Sequence, residues 1–268
     1  MRKWVVAGGD GRMLALAKLL KKDGDEVQTI GLLPQEQADT SGADVILLPY
    51  PFSVRNGQIP CLTGAELEPR ELLKKAGKET LIIAEKGMET YGSFLRYTQA
   101  PGFEQRNAEI SAEAAVYEVM ERSGKALMDL CVLVTGYGLF ARALAQKLRS
   151  LGAEVWIAAR RIEARRQAQE DGMQTVSIRE MGSILGKVDV LLNTVPAQII
   201  TEADLRCLPS RAWLMELASA PYGFDRDVAQ ALGLKSALLP GLPARYAPES
   251  AALALHDAVI SLAEEAER

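Results

Sequence analysis

Two doubly wound parallel-sheet domains of the α/β class, joined by one long helix, are the architecture this sequence predicts, and three observations predict it. Short β-like runs alternate with helix-patterned runs along both halves of the 268-residue chain. A stretch rich in Ala, Glu, Met and Leu, from Ile110 to Met128, separates the halves. A glycine turn, Gly136-Tyr137-Gly138-Leu139-Phe140-Ala141, follows a strongly apolar run at the start of the second half.

The elements follow in order. Trp4 to Ala7 precedes a helical Met13 to Leu20, Val45 to Leu48 precedes a helical Ala65 to Lys75, and Leu81 to Ala84 is a third strand. Gln99 to Asn107 contains Pro101 and Gly102 and reads as a connection. An N-terminal α/β domain over 1–106 and a linking helix over 107–128 result. The second half runs strand Cys131 to Val134, helix Phe140 to Ser150, strand Val155 to Ala158, helix Ile162 to Asp171 and strand Val188 to Leu192. Apolar runs Trp213 to Leu217 and Ala237 to Leu239 complete a domain over 129–246. A last helix, Ala247 to Glu267, follows a proline-rich turn and is expected to return to the first domain, over 247–268.

Composition narrows the function. Apolar residues make up 48% of the chain, enough for each domain to bury its own core. The net charge of −4 is spread without long like-charge blocks, so there is no electrostatic footprint for nucleic acid or an anionic membrane. The apolar run after Arg2-Lys3 breaks at Gly8-Gly9-Asp10, and no stretch approaches the roughly 18 apolar residues of a membrane span. A cytoplasmic protein with small-molecule or protein partners is expected. Cys61, Cys131 and Cys207 are far apart with no Cys-x-x-Cys spacing, so neither a metal site nor a disulfide is expected. His256 is the chain's single histidine and reads as a helix-surface residue, yet any mechanism with a histidine base has to use it.

The glycine turn carries the chemistry. Gly136 permits the tight turn, Gly138 lets a pyrophosphate approach the backbone, and the small Ala141 lets helix and strand pack closely. Amides at the start of the following helix, among them those of Tyr137, Leu139 and Phe140, then meet the phosphate charge. At the end of the next strand an NAD enzyme usually places an acid against the ribose 2′-hydroxyl. Here stand Ala158-Ala159-Arg160-Arg161, whose arginines suit a 2′-phosphate, so NADP is favoured over NAD. Asn193-Thr194-Val195-Pro196 ends the next strand and is expected beside the nicotinamide ribose. A second cluster, Gly8-Gly9-Asp10-Gly11-Arg12, holds an acid that repels pyrophosphate, and it is assigned to the facing wall of a cleft between the domains, with Arg12 toward a substrate carboxylate.

Together these segments resemble the dipicolinate synthase A-subunit family of endospore-forming bacteria, over essentially the whole chain. The resemblance rests on Ala7 to Arg12, Asn107-Ala108-Glu109-Ile110-Ser111-Ala112-Glu113-Ala114, the glycine turn, Asn193 to Pro196, Leu217 to Asp225, and Leu239-Pro240-Gly241-Leu242-Pro243 followed by Ala247-Pro248. The chain departs from the pattern at Tyr222, where glycine is expected, at Glu216, where Asp is expected, and at Ala244-Arg245-Tyr246. The resemblance implies an N-terminal substrate domain, a C-terminal Rossmann NADP-binding domain, and oxidation of dihydrodipicolinate to dipicolinate with NADP⁺ in the mother cell of a sporulating bacterium. It also implies a homo-oligomer and a partner, the flavin-binding B subunit. Two carboxylates on the substrate ring call for a clamp, for which Arg12, Ser53, Arg55, Ser219 and Arg245 are the candidates. Aromatisation drives the reaction, so no strong base is demanded and the proton acceptor is left unassigned. Two alternatives stand beside it: another NADP-dependent dehydrogenase of 2-hydroxyacid or alanine dehydrogenase-like architecture, and a non-catalytic NADP-binding protein that regulates a flavoprotein.

Overall fold

The computed structural model describes residues 1–37 and 39–268. The chain divides into two compact units, Met1–Asn107 with Pro243–Arg268, and Ala108–Leu242. In chain order the first unit holds β1 (Lys3–Ala7), α1 (Gly11–Lys22), β2 (Glu26–Ile30), β3 (Val45–Leu47), β4 (Ile59–Pro60), β5 (Glu66–Leu67), α2 (Pro69–Leu73), β6 (Leu81–Ala84) and β7 (Leu95–Arg96). The chain then enters α3 (Phe103–Ser123), within which the division falls. The second unit continues with β8 (Cys131–Thr135), α4 (Leu139–Ser150), β9 (Glu154–Ala159), α5 (Ile162–Glu170), β10 (Gln174–Ser177), α6 (Gly182–Leu185), β11 (Val190–Asn193), α7 (Glu202–Cys207), β12 (Trp213–Glu216), α8 (Arg226–Ala231) and β13 (Lys235–Leu238). Two helices end the chain, α9 (Leu242–Tyr246) and α10 (Pro248–Ala266).

Both main sheets are parallel. The first has the order β2-β1-β3-β6-β7, which reverses direction between β1 and β3. The second has the order β10-β9-β8-β11-β12-β13, the arrangement of a dinucleotide-binding fold, with its reversal between β8 and β11. Ligands of such sheets gather at the carboxyl ends of the strands flanking the reversal. The strands read as continuous apolar runs because both faces are covered. All five residues of β8 are buried, Val132 and Val134 against α3, α4 and α5, and Cys131 and Leu133 against α6, α7 and α8. In the first unit α10 packs against α1, and His256 Nε2 lies 2.6 Å from Asp23 Oδ2 at the end of α1. Among the described residues, no helix is long and apolar enough to cross a membrane.

Two expected elements differ and two strands go unforeseen, each for a local reason. The long helix spans Phe103–Ser123 rather than Ile110 to Met128. Its start is set by Pro101-Gly102, and Gly124, at φ +61, stops it by turning left-handed and donating its N–H to Met120 O. The expected helix Ala65 to Lys75 shrinks to α2, because Pro69 belongs at a first helical position and Glu68 caps it by accepting from Glu71 N. The residues before it pair instead, β5 with β4. Edge strands β2 and β10 are absent from the expectation, since each is mostly half-exposed and carries no apolar run.

Candidate functional site

The glycine turn lies in the second unit at the carboxyl end of β8. Gly136 has φ +81, its N–H donates to Ala158 O at 2.8 Å, and a Cβ there would sit 2.9 Å from Val195 Cγ2. Gly138 is the N-cap of α4, and no side chain caps it. A Cβ on Gly138 would meet nothing within 4 Å. The first-turn amides therefore face open space without an internal acceptor, and the first turn carries no acid to oppose an anion. Ala141 is buried against the sheet, as expected of the third position of the motif. Tyr137 is anchored away from the turn, donating to Asp171 Oδ2 at 2.7 Å while Arg142 pairs with the same carboxylate. The second cluster behaves in the opposite way. There Asp10 caps α1 by accepting from Arg12 N, so the helix start that would meet a phosphate already has its anion.

A cavity of about 750 Å³ opens over the glycine turn, lined by residues 136–141, by Ala159, Arg160 and Arg161, and by Thr194, Val195 and Pro196. That size and these chemical features fit a dinucleotide. Arg160 and Arg161 are exposed at the end of β9, where no acid stands. Arg165 and Arg179 also line the cavity, and neither is foreseen from the sequence. Arg165 braces the bend by donating to Ala159 O and Arg160 O. Arg179 arrives from the turn after β10 and is exposed. An apolar run at β10 would have been the signal, and there is none.

Asn193 does not line the cavity. It is fully buried, with Oδ1 accepting from Thr135 Oγ1 at 2.6 Å and Nδ2 donating to Glu216 Oε1 at 2.7 Å. Glu216, also fully buried, accepts further from Ala218 N and Gly223 N. Burial pushes the Glu216 carboxyl above its ordinary range, against the pull of the hydrogen bonds from Gly223, Asn193 and Ala218. The network ties the ends of β8, β11 and β12 together and closes the loop that carries the exposed Ser219. Asn193 thus holds the turn from Thr194 to Pro196 in place rather than facing a ligand itself.

The first-unit clamp candidates separate into two kinds. Arg12 is buried and its guanidinium is matched before any ligand arrives: Nε donates to Asp10 Oδ1 at 2.9 Å, and Nη2 donates to Asp10 Oδ2 at 2.8 Å and Tyr50 O at 2.9 Å. Ser53 is fully buried, donating to Pro49 O and accepting from Glu85 N. Both are thus held by the chain's own groups and brace the loops around them. Arg55 and Arg245 are exposed, and each guanidinium lies over a neighbouring ring, Phe52 at 4.6 Å and Tyr246 at 5.1 Å.

Residues 3–89 match the N-terminal domain of the dipicolinate synthase A subunit, and residues 100–237 match the NAD-binding domain of D-isomer-specific 2-hydroxyacid dehydrogenases. Through the domain that fills half of it, the chain belongs to the family of D-isomer-specific 2-hydroxyacid dehydrogenase NAD-binding domains, and it joins to this an N-terminal domain of the dipicolinate synthase A-subunit type. The A subunit of dipicolinate synthase from Bacillus subtilis (strain 168) is 22% identical over 271 residues, covering 93% of this chain and 91% of the relative. The crystal structure of the corresponding A subunit from Bacillus halodurans superposes with a TM-score of 0.86 at 25% identity, covering 98% of this chain and 97% of that one. A transhydrogenase from Sinorhizobium meliloti shares the fold at a TM-score of 0.68 and 16% identity, over 98% of this chain and 94% of its own. Membership in this family, with its nicotinamide dinucleotide-binding domain, makes the chain an oxidoreductase of dehydrogenase type.

Proposed function

We propose that the chain oxidises dihydrodipicolinate to dipicolinate, pyridine-2,6-dicarboxylate, with NADP⁺ as acceptor, in the role of the dipicolinate synthase A subunit. The observation that carries this reading is the uncapped helix start at Gly138, facing a cavity rimmed by Arg160, Arg161 and Arg179 with no acid at the end of β9. When bound, the nicotinamide accepts the hydride removed from the partly unsaturated ring. The rest of the task falls to side chains of the chain. The amides of residues 137–140 hold the pyrophosphate, and Arg160 and Arg161, helped by Arg179, hold a 2′-phosphate through planar forks. Thr194, Val195 and Pro196, fixed from behind by Asn193, set the depth of the ribose. Arg55, Ser219 and Arg245 supply the exposed polar groups for the substrate, with Arg12 and Ser53 bracing the first unit. Loss of one hydride and one proton aromatises the ring, so orientation supplies most of the catalysis and the proton passes to solvent.

The same reading places the protein in the cytoplasm of the mother cell, as a homo-oligomer that works with a flavin-binding B subunit. Mixing the purified chain with dihydrodipicolinate and NADP⁺, with and without the flavoprotein, tests it. Growth of reduced-nicotinamide absorbance together with dipicolinate supports the reading, and its absence under both conditions rejects it.

A further inference from the structure

The first unit carries a cation pair that the cofactor site does not use. After β3 and β6 end, their chains meet once more in a parallel bridge between Phe52 and Lys86, with Lys86 O accepting from Ser53 N at 3.0 Å and Val54 N at 3.3 Å. The fit is close enough that a Cβ on Gly87 would lie 2.3 Å from Val54 O. Arg55 is fixed just beyond, at the foot of a two-residue hairpin in which Arg55 N donates to Gln58 O and Gln58 N donates to Arg55 O. Asn56 and Gly57 take the positive φ values, +50 and +79, that this hairpin turn requires. The result places Arg55 Cζ 4.6 Å and Lys86 Nζ 5.4 Å from the centroid of one half-buried ring, Phe52. Among the described residues neither cation has a carboxylate within ion-pair distance, and the nearby Asp10 is already matched by Arg12. Two like charges held at one ring, Arg55 beyond the carboxyl end of β3, which flanks the reversal, and Lys86 beyond that of the neighbouring β6, form a site of positive potential that favours an anion.

We propose that Arg55 and Lys86, braced by Phe52, receive a ring carboxylate of the substrate. This rests on the dicarboxylate reading above and names Lys86 as a substrate-binding residue alongside Arg55. The guanidinium offers a planar fork and the ammonium a point charge, each of which pairs with a carboxylate. The test is titration of the full chain with pyridine-2,6-dicarboxylate, with and without NADP⁺, for the native protein and for Arg55→Ala, Lys86→Ala and Lys86→Arg. The alanine variants should each bind about tenfold or more weakly, as expected for loss of a charge-assisted hydrogen bond, while Lys86→Arg stays near the native affinity. Unchanged NADPH affinity and melting temperature would show that the variants are folded. Native affinity in both alanine variants, no binding by the native chain, or equal binding of inorganic phosphate would overturn the proposal. Turnover assays separate it from the dehydrogenase reading. Turnover with alanine variants of native affinity leaves that reading standing and removes this site, whereas affinity lost in the variants without native turnover does the reverse.

Discussion

Glu216 is a buried carboxylate with no cation paired to it among the described residues, and three N–H donors stand in for one. Glu216→Gln turns one acceptor oxygen into a donor facing another donor, so the variant should unfold more easily by about 1–3 kcal/mol in urea titrations. At the cavity rim the effect is on selectivity rather than on stability. Arg160→Asp should weaken NADP binding by about tenfold or more while leaving NAD binding much less affected, as read by calorimetry. Equal losses for the two dinucleotides would remove Arg160 from the 2′-phosphate.

At the level of the strand–turn–helix element, the two glycines of the turn have separate duties. Gly136 serves the chain's own conformation, with a positive φ and Val195 close by. Gly136→Ala should therefore cost about 1–2 kcal/mol of stability as well as dinucleotide affinity. Gly138 has an extended backbone and open space where a side chain would project. Gly138→Ala should leave the melting temperature unchanged while abolishing binding of both dinucleotides, because the added methyl occupies the place of the pyrophosphate. A Gly138→Ala protein that binds either nucleotide normally would refute the role given to this turn.

For the whole molecule, acid should destabilise the fold on balance. Burial pushes the carboxyls of Asp10, Asp25 and Asp189 upward, yet hydrogen bonds and cations outweigh it and hold all three below the usual range. Asp25 accepts from Arg2 N and Trp4 Nε1, and Asp189 from Cys131 N, Lys125 and Arg211. A depressed native pKa contributes stability that is complete above the unfolded value and is lost as pH falls through the native one. Glu216 acts in the opposite sense, since its raised pKa favours the fold as it protonates. Asp39, Glu154, Asp171 and Glu267 are depressed as well and Glu216 stands alone against them, so urea midpoints should fall steeply below pH about 4. A flat profile there would show that these contacts do not hold in solution.

What is legible in the chain without its fold is whatever depends on neighbours a few residues away. The parallel strands are visible because burial on both faces demands continuous apolar runs, and the glycine turn because its three small residues act within one turn. Distant partners stay hidden. Thr135, Asn193 and Glu216 are adjacent only because the register sets Asn193 beside Thr135 on one side and Glu216 on the other. Lys86 joins Arg55 only through the bridge to Phe52. Arginines look alike as letters, and it is packing that matches the charge of Arg12 internally and leaves that of Arg55 facing outward, since a cation's availability depends on the anions the fold brings to it.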